Sequence, residues 1–469
     1  MDPITPLPID CERSATDVAR ALLVDLYELT MVAAYRQQGM ADRPATFSLF
    51  VRSLPERRGC LIAAGLDTCL SWLEDLRFGP DELAALARLD IFDTEFLDWL
   101  AELRFTGSVR AVPEGTAVFA GEPILEVDAP LAEGQLAETF LLNQVTLQTI
   151  LATKAARCRE AAAGRPVVDF ALRRAHGIDA GMKLARVGRL VGLAGTSNVA
   201  GADRYGIAAS GTMAHSFVLA HDDETAAFRA FSELFGSETV LLVDTHDTPT
   251  GVDRAIEVAK EQQARGRSIN GIRLDSGDLG QLACDARRRL DDAGLPDVKV
   301  FVSGGLDEYS VAELVAAGAP IDGFGVGSSL GTSDDAATLD SVYKLVSVDG
   351  RPVRKTSTGK ATWPDAKQVW RADDWSHDVL ARAGDAAVAS AHPLLVEVMG
   401  DGQRTDQGRD DLGSAHRHFE QQWRQLPQPY KDLYRPERYR VEPSPGLEDL
   451  TVRLDEQLGT RQAHEEGDQ

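Results

Sequence analysis

The stretch INGIRLDSGDLGQLACDARRRLDDAG, residues 269–294, contains one complete strand–turn–helix unit. It opens with a short apolar run that ends in the polar cluster RLDSGD. Apolar side chains then recur with the i, i+3, i+4, i+7 spacing of an amphipathic helix, at Leu279, Leu282, Ala283, Ala286 and Leu290. Gly294 follows as a helix stop. An apolar strand followed by such a helix is typical of parallel β/α proteins.

The same alternation recurs through the middle of the chain. Short apolar runs are VVDFAL (167–172), LVGLAG (190–195), IAASGTM (207–213), TVLLVDTH (239–246), INGIRLDSGD (269–278), VKVFVSGG (298–305) and IDGFGVGSSL (321–330). Because no GxGxxG opens the series, a β/α barrel is favoured over a doubly wound sheet. We predict an α/β fold, an irregular parallel β/α barrel of about seven strands over residues 141–340.

The segments outside the barrel have a different texture. Residues 17–140 read as an N-terminal α+β domain, with a β-rich insert of alternating apolar pairs and Pro/Gly turns at 106–130. We expect residues 341–440 to complete that domain by packing on it. Residues 1–16 are predicted to be a flexible arm, and residues 441–469 a polar, partly disordered tail.

Composition excludes several classes of function. The 469 residues are 43% hydrophobic, which is ordinary for a globular protein. The formal net charge of −24 argues against binding to nucleic acid or an anionic membrane. The five cysteines are widely spaced and form no CxxC pair, so neither a disulfide scaffold nor a structural zinc site is predicted. With no signal-like start or membrane-spanning run, we expect a cytoplasmic protein.

Each strand of the series ends in a small polar cluster, and the carboxyl ends of barrel strands build active sites. In RLDSGD, Asp275 and Asp278 suit sugar hydroxyls or Mg²⁺, and Arg273 suits a carboxylate. A solvated turn with an internal salt bridge is the alternative. SGGLDE and GFGVGSSL are consecutive Gly/Ser turns, which favour a phosphorylated ligand because backbone N–H groups there approach its oxygens closely.

Single residues remain ambiguous on pattern alone. His215 in GTMAHSF is either a structural histidine at a strand end or a catalytic one. Phe170 in DFALRR shares a strand face with Leu172, which favours a core position. Tyr27 in DLYELT is equally an ordinary half-buried helix residue.

The motifs together resemble one known family, nicotinate phosphoribosyltransferase, among the type II phosphoribosyltransferases. The resemblance extends over roughly three quarters of the chain. In order it includes DLYELTM, FSLFVRSLP, AGLD, PEGTAVFAGEPILEV, LLNQVTLQT, DFALRRAHG, GTSNVAG, GTMAHSFV, RLDSGDL, SGGLDE, GFGVGSSLGTS and the segment ending at KQVWR. The set is specific as a combination, although several of its parts are not.

The resemblance implies a reaction and a cofactor. Nicotinate and phosphoribosyl pyrophosphate would give nicotinate mononucleotide and pyrophosphate, with Mg²⁺ and coupled ATP hydrolysis, in NAD biosynthesis. It implies that His215 is phosphorylated by ATP and that Asp244 fixes the histidine tautomer. The partners implied are nicotinate, phosphoribosyl pyrophosphate and ATP, and a homodimer in which Tyr27 reaches the partner's site.

The remaining site residues follow by position in the motifs. Nicotinate would lie between Tyr27 and Phe170, its carboxylate facing Arg173, Thr212 and Arg273. Relatives that use nicotinamide carry aspartate at the position of Ser197, so serine favours nicotinate. Phosphoribosyl pyrophosphate would be held by Arg52, Asp275, Gly277, Gly304, Gly305, Gly327, Ser328 and Lys355, and Asp278 would bind Mg²⁺.

Three alternatives stay open. One is a nicotinamide-using relative, against which Ser197 argues. The second is a quinolinate phosphoribosyltransferase, which would need no ATP and a more basic pocket. The third is a non-catalytic sensor of NAD metabolites, which need not retain His215 with Asp244. No functional prediction attaches to residues 372–469.

Overall fold

The computed structural model describes residues 20–357 and 359–467. The predicted arm at 1–16 lies outside these residues. The N-terminal part contains a short 3-10 helix followed by ten elements. They are Arg20–Leu22 (3-10), α1 Leu26–Gln37, β1 Pro44–Val51, β2 Leu61–Ile62, α2 Leu66–Glu74, α3 Pro80–Ala87, α4 Thr94–Glu102, β3 Ser108–Ala111, β4 Ala117–Val118, β5 Pro123–Pro130 and α5 Leu131–Leu136.

The middle of the chain alternates strands with helices. Its elements are α6 Glu138–Ala161, β6 Val167–Asp169, a 3-10 helix Leu172–Arg174, α7 Ile178–Val191, β7 Gly195–Thr196, α8 Val199–Tyr205, α9 His215–Leu219, α10 Glu224–Phe235, a 3-10 helix Gly236–Glu238, β8 Val240–Leu242, α11 Thr248–Ala264, β9 Gly271–Leu274, α12 Leu279–Asp292, β10 Lys299–Val302, α13 Glu308–Ala316, β11 Gly323–Val326 and α14 Ser328–Thr332.

The C-terminal part is mainly strands and ends in a long helix. Its elements are β12 Ser341–Val348, β13 Arg351–Pro352, β14 Lys367–Ala372, β15 Asp378–Arg382, β16 Ala391–Pro393, β17 Val396–Gly400, β18 Gln403–Arg404, a 3-10 helix Gln407–Arg409, α15 Leu412–Gln425, a 3-10 helix Gln428–Tyr430, β19 Val441–Pro443 and α16 Pro445–Gly467.

The middle segment forms a curled half-barrel, which confirms the predicted fold class. Its six parallel strands lie in the order β7-β6-β11-β10-β9-β8. The predicted run at 207–213 adds only a parallel bridge between Thr196 and Ala209, so the barrel has six regular strands rather than about seven. The strand predicted at 190–195 is shorter in the structure, because α7 extends to Val191. The helix ends at Gly192, whose φ of 77° a glycine adopts readily.

A second sheet joins the two ends of the chain. Its seven strands lie in the order β13-β12-β1-β5-β3-β17-β18. β1 is antiparallel both to β5 and to β12, so the N-terminal sheet is completed by residues from beyond the barrel. β17 likewise pairs with β3, which lies in the β-rich insert.

Two C-terminal segments differ from the sequence prediction. Helix α15 packs on α7 of the barrel, where His416 Nδ1 lies 2.9 Å from the Leu190 carbonyl oxygen, so residues 412–425 do not pack on the N-terminal domain alone. The expectation of a partly disordered tail is wrong for Pro445–Gly467, which form α16. The polar composition concealed an apolar anchor, because Leu447 and Leu450, one helical turn apart, are both buried.

A buried charged cluster joins the β-rich insert to the C-terminal strands. The Arg371 guanidinium donates to Asp378 at 2.7 Å and to the Ala117 carbonyl at 2.8 Å. Tyr439 also donates its hydroxyl to Asp378. Burial, together with the nearby Asp378 charge, raises the pKa of Glu122 well above its usual range. The cluster therefore buries the Arg371 cation beside two carboxyl groups, Asp378 and Glu122, and burial disfavours the charged form of Glu122.

We expect the substitution Arg371→Met to destabilise the protein by roughly 3–5 kcal/mol, because it leaves Asp378 charged and unpaired in the interior. Thermal or urea unfolding measures the loss. The control is Arg229→Met, since Arg229 pairs with Glu257 and Glu261 at the surface and should matter little. Equal melting temperatures for both variants would contradict the role of the buried cluster.

Candidate active site

The half-barrel encloses a cavity of about 280 Å³ that extends from the amino ends of the strands, at Pro166 and Asn270, to Phe170, Thr212 and Arg273. It is lined by aromatic rings together with a few polar groups. The lining includes Phe170, Ser210, Thr212, Arg273, Phe301 and Phe324. A cavity that combines aromatic rings with convergent polar groups is a candidate site for a small ligand.

Phe170 and Arg273 form one wall of the cavity. The guanidinium carbon of Arg273 lies 5.8 Å from the centre of the Phe170 ring. The ring lies against Gly325, where a Cβ atom would come within 2.4 Å of it. Glycine at this position of β11 therefore makes room for the aromatic face.

Arg273 is only partly satisfied by its neighbours. Its Nη2 donates to the Met213 carbonyl at 3.0 Å, but its buried Nε has no hydrogen-bond partner among the described residues. Burial lowers the pKa of Arg273; Asp275 and Asp244 oppose that shift, and the charge of Arg173 adds to it. An anionic ligand would stabilise such a guanidinium, since a buried unpaired donor is costly.

The other residues predicted to face nicotinate have different positions. Thr212 lines the cavity, at the segment that precedes α9. Arg173 lies in the 3-10 helix after β6, is exposed, and has no ion pair in the part of the chain that the structure describes. Ser197 is half-buried just after β7, and its N–H donates to the Asp169 carbonyl at 2.7 Å.

His215 is the first residue of α9 and faces the ends of β8 and β9. Its Nε2 lies 4.0 Å from Asp275 Oδ2, and the side chain is 41% exposed. Its Nδ1 lies 3.2 Å from the hydroxyl of Thr245. One ring nitrogen is thus held by a neutral hydroxyl, while the other faces a carboxylate beside the cavity.

The predicted contact between Asp244 and His215 is wrong. Asp244 instead accepts hydrogen bonds from the Asp275 N–H at 2.9 Å and the Ser276 hydroxyl at 2.6 Å. Successive side chains of extended backbone point to opposite sides, so Thr245 takes the place next to the histidine. Sequence reasoning missed Thr245; the TH dipeptide that follows the strand was its only signal.

Asp275 connects the histidine to the first of the Gly/Ser turns. Its Oδ1 accepts a short hydrogen bond from the Ser303 hydroxyl, while Oδ2 faces His215. Gly304 follows with a φ of 89°, and a Cβ there would lie 1.7 Å from the Asp275 carbonyl oxygen. Only glycine allows the turn to press against the aspartate backbone. Ser303 was not predicted, although it begins the SGG motif.

The two predicted phosphate turns lie side by side. Gly304 and Gly305 follow β10, and Gly327 and Ser328 follow β11, which pairs with β10 in parallel. Ser328 is the exposed first residue of α14. Backbone N–H groups at such adjoining turns suit a phosphate group.

Four predicted residues lie apart from this group or have other partners. Tyr27 is 46% exposed at the start of α1, and burial of its remainder raises its pKa. Arg52 pairs with Asp340 at 3.1 Å. Lys355 is exposed in the loop after β13, and its backbone N–H donates to the Thr362 hydroxyl.

Asp278 caps α12 by accepting from the Gln281 N–H at 3.1 Å, next to Gly277 with a φ of 87°. Across residues 20–357 and 359–467, no group of three His, Cys, Asp or Glu side chains is arranged to hold a metal ion. The Mg²⁺ role of Asp278 stays a prediction.

None of the described helices combines the length and apolar character needed to cross a membrane.

Comparison with known proteins agrees with this geometry. Residues 22–146 match the nicotinate phosphoribosyltransferase N-terminal domain, and residues 166–371 match the nicotinate phosphoribosyltransferase family. Nicotinate phosphoribosyltransferase pncB2 of Mycobacterium tuberculosis is 49% identical over 416 residues, 88% of this chain and 89% of the relative. The Bacillus subtilis nicotinate phosphoribosyltransferase is 42% identical over 362 residues, 76% of this chain and 74% of the relative.

A solved structure supports the same assignment over nearly the whole chain. Human nicotinic acid phosphoribosyltransferase superposes with a TM-score of 0.82 at 28% identity, covering 92% of this chain and 99% of the human one. The family models and these relatives agree on every part of the chain that contributes to the cavity. This chain therefore belongs to the nicotinate phosphoribosyltransferase family.

Proposed function

We propose that this protein transfers the phosphoribosyl group of phosphoribosyl pyrophosphate to nicotinate, forming nicotinate mononucleotide and pyrophosphate for NAD biosynthesis, with coupled hydrolysis of ATP. The observation that carries the proposal is the Arg273 guanidinium, which lies over the Phe170 ring and whose Nε has no hydrogen-bond partner among the described residues. Arg273 is two residues before Asp275, which faces His215. The groups suited to a ring acid line the cavity, and those suited to a sugar and a phosphoryl group follow at the adjoining strand ends.

Nicotinate binding uses the aromatic wall and the free cations. The pyridine ring stacks on Phe170, and its carboxylate binds Arg273 with help from Thr212 and Arg173. A carboxylate gains charge-assisted hydrogen bonds from a guanidinium that a neutral carboxamide does not. Together with serine at position 197, this favours nicotinate over nicotinamide, and the family match favours it over quinolinate.

The sugar and phosphates bind along the turns. Asp275 accepts hydrogen bonds from the ribose hydroxyls, and the 5′-phosphate lies on the turns at Gly304–Gly305 and Gly327–Ser328. Arg52 and Lys355 serve the pyrophosphate, for which Arg52 must share its ion pair with Asp340. Mg²⁺ would be held by the substrate phosphates together with Asp278, and it would supply positive charge for the departing pyrophosphate.

His215 couples the reaction to ATP. With Nδ1–H donated to Thr245, the lone pair on Nε2 is free to attack the γ-phosphorus of ATP. The N–P bond forms as the bond to the ADP oxygen breaks. Hydrolysis of the phosphohistidine later returns the imidazole and releases inorganic phosphate.

A homodimer completes the aromatic sandwich in this proposal. Tyr27 is exposed at the start of α1, next to the exposed apolar side chains Leu23 and Leu26. Apolar side chains are also exposed in helices at the barrel rim, where Ile178 and Val199 are more than 70% accessible. Such patches mark association surfaces. A second copy of the chain would bring its Tyr27 opposite Phe170.

The cytoplasmic location stays a prediction.

We predict that His215→Ala abolishes the stimulation of nicotinate mononucleotide synthesis by ATP and leaves slow basal transfer. The matched control is His221→Ala, because His221 lies on the same short segment and, within the described residues, its hydrogen bond and its ring contact are both with Phe217. Product formation with and without ATP, and retention of label from γ-labelled ATP, are the measurements. ATP stimulation that survives in His215→Ala would overturn the phosphohistidine role.

Ser197→Asp should shift preference from nicotinate toward nicotinamide, because a carboxylate repels the acid and accepts from the amide. We expect the ratio of kcat/KM values to change by roughly tenfold or more, equivalent to about 1.4 kcal/mol. The control is Ser197→Asn, because asparagine is similar in size to aspartate but carries no charge. An unchanged ratio in Ser197→Asp would mean that another residue sets the choice of base.

A further inference from the structure

A second buried charged cluster lies next to the two phosphate turns. It contains three cations and three carboxylates, drawn from the loop after β1, from α6, from the start of α13 and from the residues after α14. They are Arg58, Lys154, Arg157, Glu308, Asp334 and Asp335. Lys154 and Glu308 are fully buried, and Arg58 is 1% exposed.

Lys154 is the centre of this cluster. Its Nζ lies 2.5 Å from Glu308 Oε2, 2.8 Å from Asp335 Oδ1 and 3.2 Å from Asp334 Oδ1. The carboxylates raise the pKa of Lys154, so its ammonium stays charged although burial opposes this. One point charge on α6 therefore holds three carboxylates from two other segments.

Each carboxylate group leads directly to a phosphate turn. Glu308 is the first residue of α13, directly after the turn that contains Gly304 and Gly305. Asp334 accepts a hydrogen bond from the Ser329 hydroxyl at 2.8 Å, and Ser329 is the neighbour of Ser328. Because both segments bind the same ammonium, the position of one turn relative to the other depends on Lys154.

Neighbouring cations reinforce the arrangement. Arg157 Nε donates to Glu308 at 2.9 Å, and Arg58 donates to Asp335 and to Ser333, both at 3.0 Å. Ser333 has a φ of 45°, a conformation that a non-glycine residue adopts only when its surroundings hold it. The turn after α14 is thus fixed by ionic contacts rather than by apolar packing.

We propose that Lys154 is a positioning residue that sets the spacing of the two phosphate turns and, through it, the affinity for the 5′-phosphate of phosphoribosyl pyrophosphate. Lys154 is fully buried and acts only through Glu308, Asp334 and Asp335. Burying Arg58, Lys154, Arg157 and Glu308 costs desolvation energy that apolar residues of similar volume would avoid. A fixed geometry of two anion-binding turns is what the cluster provides. The inference rests on the phosphate role proposed for these turns.

The test is Lys154→Met, with steady-state kinetics for each substrate. We expect KM for phosphoribosyl pyrophosphate to rise between roughly ten- and hundredfold, because a small displacement of binding groups is costly. KM for nicotinate should stay within about twofold, since Arg273 lies on β9 and Phe170 packs on β11 itself, so that neither belongs to the loops that Lys154 contacts. Inhibition by ribose 5-phosphate, which shares only the sugar and 5′-phosphate, should weaken in parallel.

Two further variants separate positioning from general stability. Asp334→Ala removes a carboxylate whose side chain is 59% exposed, so it should fold even where Lys154→Met does not. It should raise KM for phosphoribosyl pyrophosphate selectively, by a smaller factor. Arg371→Met removes a buried cation from the other cluster and should lower the melting temperature without changing the ratio of the two KM values. An unchanged ratio in Asp334→Ala and Lys154→Met, or the same change in Arg371→Met, would overturn the proposal.

A last pair of variants tests the turns themselves. Ser328→Asp places a negative charge on the exposed first residue of α14 and should weaken phosphoribosyl pyrophosphate binding more than the uncharged Ser328→Asn does. If Ser328→Asp acts but Lys154→Met and Asp334→Ala do not, the turns bind phosphate and the positioning role is wrong. If Ser328→Asp has no effect, the turns do not hold the phosphate, and the role of Lys154 falls with them.

Discussion

Helix α6 must bury charged and polar side chains along with apolar ones, and the rest of the structure depends on how those groups are satisfied. Thr149 and Thr153 accept hydrogen bonds from the backbone of the segment that begins with β2, on the N-terminal side. Lys154 and Arg157 pair with Glu308 on the barrel side. A helix buried all round cannot leave such groups unpaired. Its contacts therefore fix the barrel relative to the N-terminal domain.

The cavity shows the opposite condition, in which some buried groups lack partners. Arg273 Nε and Asp244 Oδ1 are both buried without a hydrogen bond within the described residues. Such groups are rare in folded proteins because they forfeit solvation. Their occurrence at the ends of the paired strands β8 and β9, beside Asp275, which faces His215, is typical of a site whose ligands supply the missing contacts.

Local patterns predicted the fold class and the strand ends, since apolar runs and helical spacing are properties of adjacent residues. They placed Arg273, Asp275 and Gly304 at one rim, where the structure has them. They did not distinguish Asp244 from Thr245, because tertiary packing decides which of two successive side chains at a strand end faces the histidine. The helix at Pro445–Gly467 was missed since its two buried leucines lie in a polar context. The pairing of β1 with β12 joins residues far apart in sequence, and a local pattern of apolar residues carries no information about such a pairing.

That pairing has a consequence for biosynthesis. On the ribosome, β1 meets β5 early, but its other edge stays open until Ser341–Val348 have been made. At about 5–20 residues per second, translation of the intervening segment takes roughly 15–60 s. During that interval the nascent chain exposes an apolar strand edge, which is a template for aggregation. Production of this protein is thus sensitive to translation speed and to chaperones that shield an unfinished sheet.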